Sequence, residues 1–423
     1  MPTVRQGILL CALALLTLGV VMVHSAGMRI EPASAETPVA ATDGLTIAGL
    51  LGGRDGIFAA LAIIAMAAGW LIPDRVVASL SSPRPDLLVR VGGIGLGGLL
   101  VMLLLVYVPG LSREMNASSR WIRLPAPGLG EVSIQPSEIV KWSMVGLVAW
   151  CAASAGGRLA RFWTGLVPAL AAVGLVTVVI MKEDLGTAAL VGAVACLVLL
   201  GAGARGWHFA AIMPAGLAVI AGGLFAESYR LRRLTAFLDP YADPAGNGYH
   251  MLQSMGAVAG GEGAGRGLGH GLQKFGYLPE DTTDFIFAII CEELGVAGAG
   301  VVIALYAALL ALLLAVVRGA GNPIQRLFVL GVMATIGLQA SINLLVVTGL
   351  APTKGIALPL ISKGGSGWIL TCLALGVVCA IDRARDRVSD AAPEDAPDPA
   401  PRRTLSLAAN GQPEPPARET LFG

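Results

Sequence analysis

The stretch FIFAIICEELGVAGAGVVIALYAALLALLLAVV, residues 285–317, decides the fold of this chain. A helix needs ~20 mostly apolar residues to cross a bilayer, and this run is longer. Its only charged residues are Glu292 and Glu293, near its start. The sequence therefore predicts a membrane-spanning helix here, and its length requires that the helix tilts, kinks or projects from the bilayer.

Nine further apolar runs of span-like length surround this one. They lie at 7–26, 57–73, 88–109, 139–156, 163–181, 185–203, 207–226, 325–350 and 367–381. Because the runs are continuous and do not alternate, they favour helices over a strand-based barrel. We predict an all-α polytopic membrane protein with about ten transmembrane helices, the first of them a retained span and not a signal peptide.

Two segments break the apolar pattern. A large polar loop, residues 227–283, separates the seventh and eighth runs, and loops of this length are usually functional or disordered. The Ala- and Pro-rich tail, 384–423, has too little apolar surface to form a core and is predicted to be disordered. The expected organisation is one membrane domain, 1–383, followed by this tail.

Composition excludes several classes of protein. Of the 423 residues, 55% are hydrophobic and 13% are charged, whereas soluble domains carry roughly 25% charge. A soluble enzyme is excluded for that reason, and the net charge of +1 excludes a basic nucleic-acid binder. The six cysteines form no CxxC pair and are expected to be buried hydrophobes. The glycine-rich stretch 260–271 contains no GxGxxG loop and the chain has no GxxxxGK(S/T) loop, so no nucleotide site is predicted. The sequence also lacks HExxH, and its four histidines are scattered, so no protein-built transition-metal centre is predicted.

The distribution of charge predicts the orientation. The three shortest loops on the side of the termini carry Arg158, Arg161, Arg205, Arg318 and Arg326 and no acidic residue. Short basic loops remain in the cytoplasm, so both termini are predicted to be cytoplasmic. The same placement puts all five lysines outside, where anionic headgroups and phosphates are the obvious ligands.

One polar pair and one single carboxylate lie at the starts of apolar runs. Glu138 and Lys141 follow Pro136 and share one helix face, as a capped, ion-paired helix entry would. A cation at the head of a span is costly unless it pairs or faces water, so Lys141 is also a candidate site residue. Asp184 can cap the next helix or point into a polar cavity shared with Lys141, and the sequence leaves both open.

The densest acidic patch, LPEDTTDFIFAIICEELG, spans 278–295. Asp284 lies where the polar loop becomes an apolar helix. It can act there as a helix cap or as a functional carboxylate, and the residues alone leave both open. Glu292 follows about two helical turns later, which predicts a position on nearly the same face, about 12 Å away.

The segment APTKGIALPLISKGGSGW, 351–368, joins the last two runs. Lys354 and Lys363 supply two ammonium groups, and Gly364 and Gly365 predict a permissive turn. Backbone N–H groups in such a turn can cradle an anion, which makes the segment a candidate diphosphate site.

Together these motifs resemble the SEDS family (shape, elongation, division and sporulation) of membrane peptidoglycan polymerases. The resemblance covers about 7–381 and is carried by GVVMVHSA (19–26), QPSEIVK (135–141), EDLGT (183–187), FLDPYADPAGNGYHMLQS (237–254), GLQKFGYLPEDTTDFIFAIICEELG (271–295) and PTKGIALPLISKGGSG (352–367). Lys354 and the pair Gln273–Lys274 resemble the division members more than the elongation members.

The resemblance implies a reaction. Such enzymes join the disaccharide of lipid II to another chain by a β-1,4 bond outside the cytoplasmic membrane of bacteria, releasing undecaprenyl diphosphate. Asp284 stands at the position of the family's catalytic base, and the inverting attack needs such a base. Candidate substrate-binding residues, several of them cations for the leaving diphosphate, are Lys354, Lys363, Lys141, Glu138, Arg230, Asp184, Glu292, Ser362, Gly364, Gly365 and Ser366.

The same resemblance implies a class B penicillin-binding protein and other division proteins as partners at the septum, and allows Mg²⁺ or Mn²⁺ at the diphosphate. Glu183, Lys363 and His250 depart from the family pattern of proline, tyrosine and glutamine, which leaves the substrate contacts open. The alternatives are a lipid II transporter, an elongation-type polymerase and an inactive scaffold that recruits the transpeptidase.

Overall fold

The computed structural model describes residues 3–390 apart from 29, 32–40, 43–45, 81, 83, 85, 109–111, 116–117, 127–129 and 226–227. One compact unit, Met1–Arg385, carries the fold, and Asp386–Gly423 form a second unit. The last helix continues to Asp390, past the predicted start of the tail at 384. Most of the predicted tail, residues 391–423, lies outside the described residues.

Fourteen α-helices make up the described part of the chain. They are α1 Val4–Ala26, α2 Ile47–Gly52, α3 Arg54–Trp70, α4 Asp74–Leu80, α5 Leu88–Leu104, α6 Pro136–Ala155, α7 Val167–Glu183, α8 Leu185–Gly201, α9 Gly206–Phe225, α10 Ser228–Leu238, α11 Tyr249–Gly260, α12 Ile286–Gly319, α13 Pro323–Val347 and α14 Gly365–Asp390. Short 3₁₀ or π turns cover Leu105–Tyr107, Gly156–Ala160 and Phe162–Leu166. The predicted helical fold class is confirmed.

Each of the ten apolar runs falls in a helix. Within the described ranges, eight helices are long and apolar enough to cross a membrane, and the pair α3 and α4, bent by 79°, counts as a ninth. The remaining run corresponds to α8, whose 17 residues fall short of the ~20 that a full span needs. The 285–317 run, for which the sequence allowed a tilt, a kink or a projection from the bilayer, is kinked at Gly295, where φ is 64° and ψ is −160° inside α12.

Two small antiparallel sheets were not predicted. Strands β1 Ile30–Glu31 and β2 Ala41–Thr42 form one pair, and β3 Ser112–Met115, β4 Ser118–Ala126 and β5 Gly130–Ile134 form a sheet in the order β3-β4-β5. The segment 112–134 is rich in charge, proline and glycine, so it carries no alternating apolar pattern that would indicate strands.

The predicted polar loop 227–283 contains two helices, α10 and α11, followed by an irregular segment up to Phe285. The core around it is built by α12, which packs against α1, α11 and α13, and by α13, which packs against α6 and α8. Leu15, Ile289 and Leu309 are fully buried there. Since the long helices alternate in direction, the ends of α5, α7 and α13 and the starts of α6, α8, α12 and α14 share one end of the bundle.

Candidate active site

Asp284 lies in a turn, residues 280–285, just before α12. The helix begins at Ile286, and its N-cap residue is Phe285, which makes no side-chain capping bond. The main chain of the turn is organised by Glu280, at φ 57°, whose carbonyl accepts hydrogen bonds from the N–H groups of Thr283 and Phe285. Asp284 is partly exposed, and the structure therefore gives its carboxylate a place at the surface of this turn and not the N-cap position.

The segment 351–364, which we call the α13–α14 loop, is clamped to this turn. Ser362 Oγ donates to the Thr283 carbonyl at 2.6 Å, and the Lys363 N–H donates to the Thr282 carbonyl at 2.9 Å. Ser362 is 2% exposed and also accepts the Leu358 N–H. Its hydroxyl therefore satisfies buried backbone groups on both segments, which is a structural role, and its predicted contact with substrate stays a prediction.

Asn343 of α13 completes the clamp. Its Nδ2 donates at 2.8 Å to the Asp284 carbonyl and at 2.8 Å to the Ile356 carbonyl. The Asp284 side chain then approaches the loop backbone, because its Oδ2 lies 3.1 Å from the position that a Cβ on Gly355 would occupy. A residue with a side chain at position 355 would crowd the carboxylate.

A group of charged side chains surrounds Lys354, the residue before Gly355. Burial lowers the pKa of Lys354; the carboxylate of Asp184 opposes that shift, and the charges of Arg230 and Arg233 add to it. Three cations and one carboxylate therefore interact at the end of the bundle that bears Asp284. Lys354 of the predicted anion site belongs to this group, and anion binding there stays a prediction.

Arg230 is 7% exposed and uses its guanidinium on backbone carbonyls. It donates to Gly223 at 2.8 Å, to Met181 at 3.0 Å and to Lys182 at 3.1 Å. These carbonyls belong to the ends of α9 and α7, so Arg230 joins two helices. Its predicted contact with substrate stays a prediction, whereas its charge reaches Lys354 in the structure.

Asp184 has the first of the two roles that the sequence left open, that of a helix cap. Its Oδ1 accepts the Thr187 N–H at 3.0 Å and its Oδ2 accepts the Thr187 hydroxyl at 2.7 Å, so it caps α8. It is 8% exposed and also acts on Lys354. Among the described residues, Lys141 lines a mostly apolar cavity and Asp184 lines another, so these two cavities do not join the two side chains.

Lys141 and Glu138 form the predicted ion pair, with Nζ 2.8 Å from Glu138 Oε2. Lys141 Nζ also donates to Gln339 Oε1 at 3.1 Å, and Gln339 Nε2 donates to the Ala357 carbonyl at 2.8 Å. Lys141 is 3% exposed. The pair therefore connects α6, through α13, to the α13–α14 loop.

Lys363 lies on another side of the loop from the Lys354 group. Its Nζ is 3.4 Å from Asp55 Oδ2, and its side chain is 48% exposed. It also acts on Asp281, where burial raises the pKa of the carboxyl to about 6, Glu280 raises it further, and Lys363 lowers it. Lys363 therefore adds positive charge beside the Asp284 turn.

The glycine pair does not form the predicted permissive turn. The residue with positive φ in this loop is Leu360, at 67°. The Gly364 carbonyl accepts the Trp368 N–H at 2.9 Å, as in a helix start, and a Cβ on Gly365 would lie 2.6 Å from the Phe58 ring. The pair therefore begins α14 and packs it closely against α3, with Ser366 partly exposed in the first turn.

Glu292 has a structural position that differs from the prediction. It is 1% exposed, accepts the N–H groups of Leu272 and Gln273 at 2.9 and 3.2 Å, and lies 3.4 Å from Arg266 Nε. Its carboxylate is surrounded by donors of the segment 261–275. Glu292 therefore anchors that segment to α12, and its predicted contact with substrate stays a prediction.

Glu293 anchors the same segment from the next position. Its Oε1 is 2.8 Å from Lys274 Nζ in a pair that is fully buried, and both oxygens accept the Ser25 hydroxyl. Gly265 is at φ 76° and approaches so closely that a Cβ there would lie 2.3 Å from the Glu293 carbonyl. The glycines of this segment thus allow its backbone to enter the bend of α12.

Sequence reasoning missed three residues of the site: Gln339, Asn343 and Gly355. Gln339 and Asn343 are amides four residues apart in an apolar run, so they share one face of α13. Polar residues inside a span mark functional or bundle-facing positions, and this signal was available in the sequence. Gly355 had no such signal, because its importance arises only from the approach of Asp284.

In the described ranges, no group of three or more His, Cys, Asp or Glu residues could hold a metal ion. Two carboxylates near the site are engaged by neighbouring side chains, Asp184 by Thr187 and Glu138 by Lys141. These residues do not fit a metal centre built by the protein alone.

A bundle of apolar helices with a carboxylate and a cation group at one end defines the class: a polytopic integral membrane protein with a polar site at one membrane face. The family of cell cycle proteins that comprises FtsW, RodA and SpoVE matches residues 5–387. The chain belongs to this family, which confirms the resemblance found in the sequence.

Curated relatives agree. A probable peptidoglycan glycosyltransferase FtsW of Geobacter sulfurreducens is 35% identical over 88% of this chain and 94% of its own length. A probable peptidoglycan glycosyltransferase FtsW of Nitrosococcus halophilus is 36% identical over 88% of this chain and 90% of its own length. Stage V sporulation protein E of Bacillus subtilis is 38% identical over 67% and 76%.

Solved structures share the fold. A chain of a peptidoglycan synthase complex, studied for its coordination of polymerization and crosslinking, matches with a TM-score of 0.65 and 25% identity over 90% of this chain and 97% of its own. The rod shape determining protein RodA of Thermus thermophilus matches with a TM-score of 0.55 and 23% identity, over 90% of this chain and 96% of its own.

Proposed function

We propose that this protein is a peptidoglycan glycosyltransferase that polymerises lipid II into β-1,4-linked glycan strands at the outer face of the bacterial cytoplasmic membrane. One observation carries the proposal: Asp284 Oδ2 lies 3.1 Å from the position of a Cβ on Gly355, and the preceding residue, Lys354, interacts with the charges of Asp184, Arg230 and Arg233. A base and a site for a leaving diphosphate therefore adjoin each other. The names of the FtsW relatives support the same activity.

In the proposed reaction Asp284 acts as general base. The acceptor hydroxyl transfers its proton to the Asp284 carboxylate while its oxygen attacks the anomeric carbon of the donor, and the bond from that carbon to the diphosphate oxygen breaks. Attack opposite the leaving group converts an α-linked donor into a β product. A positioned base contributes about 10²–10⁴-fold to the rate.

The leaving diphosphate carries the negative charge that develops in this step. Lys354, with Arg230 and Arg233 behind it, is the cation best placed to stabilise that charge, and electrostatic stabilisation of this kind is often the largest catalytic contribution. Because the described residues do not build a metal centre, we propose that Mg²⁺ or Mn²⁺, where required, enters with the diphosphate. No step is assigned to it.

Transport of lipid II is the alternative that the sequence left open. A transporter needs a polar path toward the opposite face of the membrane. The cavity next to Lys141 has, apart from Lys141 and Thr335, only apolar lining residues, such as Val145, Val194 and Val198. This lining favours the polymerase.

We further propose that the protein works at the division septum, with both termini in the cytoplasm, together with a class B penicillin-binding protein and other division proteins. The peptidoglycan synthase complex among the structural matches and the FtsW names of the relatives support this assignment. An elongation-type role is the alternative, since RodA shares the fold.

The test uses purified protein with its transpeptidase partner, a divalent metal and labelled lipid II. We expect glycan polymer from the native protein and none from Asp284→Asn. Asp281→Asn is the matched control, because it removes a carboxylate from the same turn, and it should retain polymerisation. Equal polymer from the native and Asp284→Asn proteins would refute the role of Asp284. Lipid movement across vesicles without polymer would favour transport, and stimulation of the transpeptidase alone would favour a scaffold.

A further inference from the structure

The turn between α6 and α7 meets the turn between α8 and α9 at the end of the bundle opposite the candidate active site. The imidazole of His208 lies 4.3 Å from the ring of Trp207 and 5.1 Å from the ring of Phe162, measured between ring centres. Phe162 also contacts Trp163, edge to face, at 5.0 Å. We call these four residues the aromatic corner, and the catalytic scheme above does not use them.

Two rings of the aromatic corner are exposed. Trp163 is 76% exposed and Trp207 is 64% exposed. Each lies in the first turn of a membrane-span candidate, Phe162–Glu183 and Gly206–Phe225 respectively. Tryptophans at the ends of membrane spans lie at the level of the lipid headgroups. The aromatic corner is therefore a surface that faces lipid at the edge of the bilayer.

Three arginines adjoin the aromatic corner, and all three are exposed: Arg158, Arg161 and Arg205. The Arg205 carbonyl accepts the His208 N–H at 3.0 Å, and the Arg158 carbonyl accepts the Arg161 N–H at 2.9 Å. The turn that carries Arg158 and Arg161 folds back on itself so closely that a Cβ on Gly165 would lie 1.9 Å from the Arg158 carbonyl oxygen. The backbone of the two turns therefore holds the three arginines close to the rings.

The charge of these arginines is not used within the described part of the chain. No Asp or Glu occurs between residues 139 and 182 or between 185 and 226, which include both turns and their helices. The ion pairs at this end of the bundle belong to other arginines, those of α1 and α14. Arg158 donates to the Ala155 carbonyl at 3.4 Å, which leaves its charge without an acidic partner. The three cations are therefore available to an anion outside the protein.

His208 adds a polar atom that the protein leaves unsatisfied. The residue is 2% exposed, and its Nδ1 has no hydrogen-bond partner among the described residues. Most buried polar atoms have such a partner, and a missing one costs free energy. The rings of Phe162 and Trp207 cover the imidazole. A ligand that enters between the exposed tryptophans and brings a hydroxyl or a carbonyl group can satisfy this nitrogen.

Basic loops alone would not indicate a binding site, because arginines in short loops also fix the orientation of a membrane protein. The loop between α12 and α13 provides the comparison at the same end of the bundle. It carries Arg318 and Arg326, both exposed, and contains no aromatic residue. The aromatic corner differs from that loop by its exposed tryptophans and its unsatisfied histidine, which are features of a site and not of topology.

We propose that the aromatic corner and its arginines bind an anionic phospholipid, such as phosphatidylglycerol, in the leaflet opposite the candidate active site. The phosphodiester pairs with Arg161 and Arg205, since guanidinium groups bind phosphate oxygens through two parallel hydrogen bonds. The acyl chains lie against Trp163 and Trp207, and a hydroxyl or ester carbonyl of the glycerol part bonds to His208 Nδ1. The bound lipid joins the α6–α7 turn to the α8–α9 turn. This inference does not depend on the proposed function.

The first test measures quenching of tryptophan fluorescence by lipids with brominated acyl chains. The protein, held in phosphatidylcholine nanodiscs, receives a small mole fraction of brominated phosphatidylglycerol or of brominated phosphatidylcholine. We expect strong quenching by the first lipid and little by the second, and we expect most of the quenching to disappear in Trp163→Phe with Trp207→Phe. Equal quenching by the two lipids, or undiminished quenching in the tryptophan variant, would overturn the inference.

A matched pair of double variants separates a site from general surface charge. Arg161→Gln with Arg205→Gln removes two charges beside the aromatic corner, and Arg318→Gln with Arg326→Gln removes two from the loop without aromatic residues. All four side chains are exposed, so both variants should fold. Each basic residue contributes about fivefold to the affinity for an anionic lipid, so the first variant should need about 25-fold more phosphatidylglycerol for half-maximal quenching. The second should match the native protein, and equal shifts in both variants would refute a specific site.

Two further measurements identify the ligand and check the outcome without fluorescence. Phosphatidylglycerol should raise the melting temperature of the native protein and not that of Arg161→Gln with Arg205→Gln, because a ligand of the folded state stabilises it; equal effects would count against the site. Glycerol 3-phosphate carries the phosphate without acyl chains, and displacement of the brominated lipid by an equal concentration of it would refute a lipid as the occupant. None of these measurements uses lipid II. A protein that binds phosphatidylglycerol in this way but makes no polymer would support the inference and refute the proposed function.

Discussion

Gly355→Ala tests the contact on which the proposed mechanism depends. The added Cβ would lie 3.1 Å from Asp284 Oδ2, whereas an ordinary contact needs about 3.5 Å. The carboxylate must therefore retreat by about 0.4 Å. Gly355 is not among the residues with positive φ, so alanine fits the backbone and folding should be preserved.

The expected loss follows from the displacement. A misplacement of 1 Å can cost about 10²-fold in rate. If the logarithm of the rate falls in proportion to the displacement, a shift of about 0.4 Å lowers kcat about sixfold. That factor corresponds to about 1 kcal/mol of activation free energy. The KM for lipid II should not change, because the base acts on the transition state.

The assay is the initial rate of glycan formation from labelled lipid II over a range of concentrations. Gly364→Ala is the control in the same loop, since its Cβ would meet nothing closer than the Ser362 carbonyl at 3.8 Å. It should turn over like the native protein. A native kcat for Gly355→Ala, or an equal loss for Gly364→Ala, would refute the reasoning about the Asp284 position.

Four further outcomes are expected. Lys354→Met should lower kcat about 10²-fold through loss of charge stabilisation, and a change confined to KM would contradict it. Asp281→Asn should have the melting temperature of the native protein below pH 4 and a higher one above pH 6. Burial raises the pKa of Asp281 to about 6, so the native protein loses stability as the pH rises from the ordinary pKa of an aspartate to about 6, and the variant does not. A difference in melting temperature that does not change with pH would contradict this. Ser362→Ala should lower the free energy of unfolding by about 1–3 kcal/mol by leaving buried backbone groups unsatisfied, and native stability in thermal unfolding would argue against the clamp. Lys141→Met should cost about 3–5 kcal/mol, largely restored by Lys141→Met with Glu138→Met; no recovery in the double variant would show that the pair is not the cause.

Local sequence patterns predicted some parts of the candidate active site and not others. The acidic turn at Asp284 and the pair Glu138–Lys141 could be predicted, because both lie at junctions of polar and apolar sequence. Glu292 was assigned to the substrate, since helical spacing alone placed it near Asp284. Its partners, the N–H groups of Leu272 and Gln273, are some twenty residues away, and only the folded chain shows that they occupy its carboxylate.

The sequence by itself determined that this is a membrane protein of about ten apolar segments. A helix that crosses the bilayer needs a long continuous run of apolar residues, and such runs are visible in the sequence. It also determined where the polar junctions lie. The tertiary structure alone decided which junctions meet: Ser362 reaches Thr283 across 79 residues, and Lys141 reaches Gln339 across 198. Helical periodicity places side chains within a few turns of one another, whereas the pairing of distant loops depends on how the helices pack. That packing brings the charges of Asp184, Arg230 and Arg233 close enough to act on Lys354, the residue before Gly355.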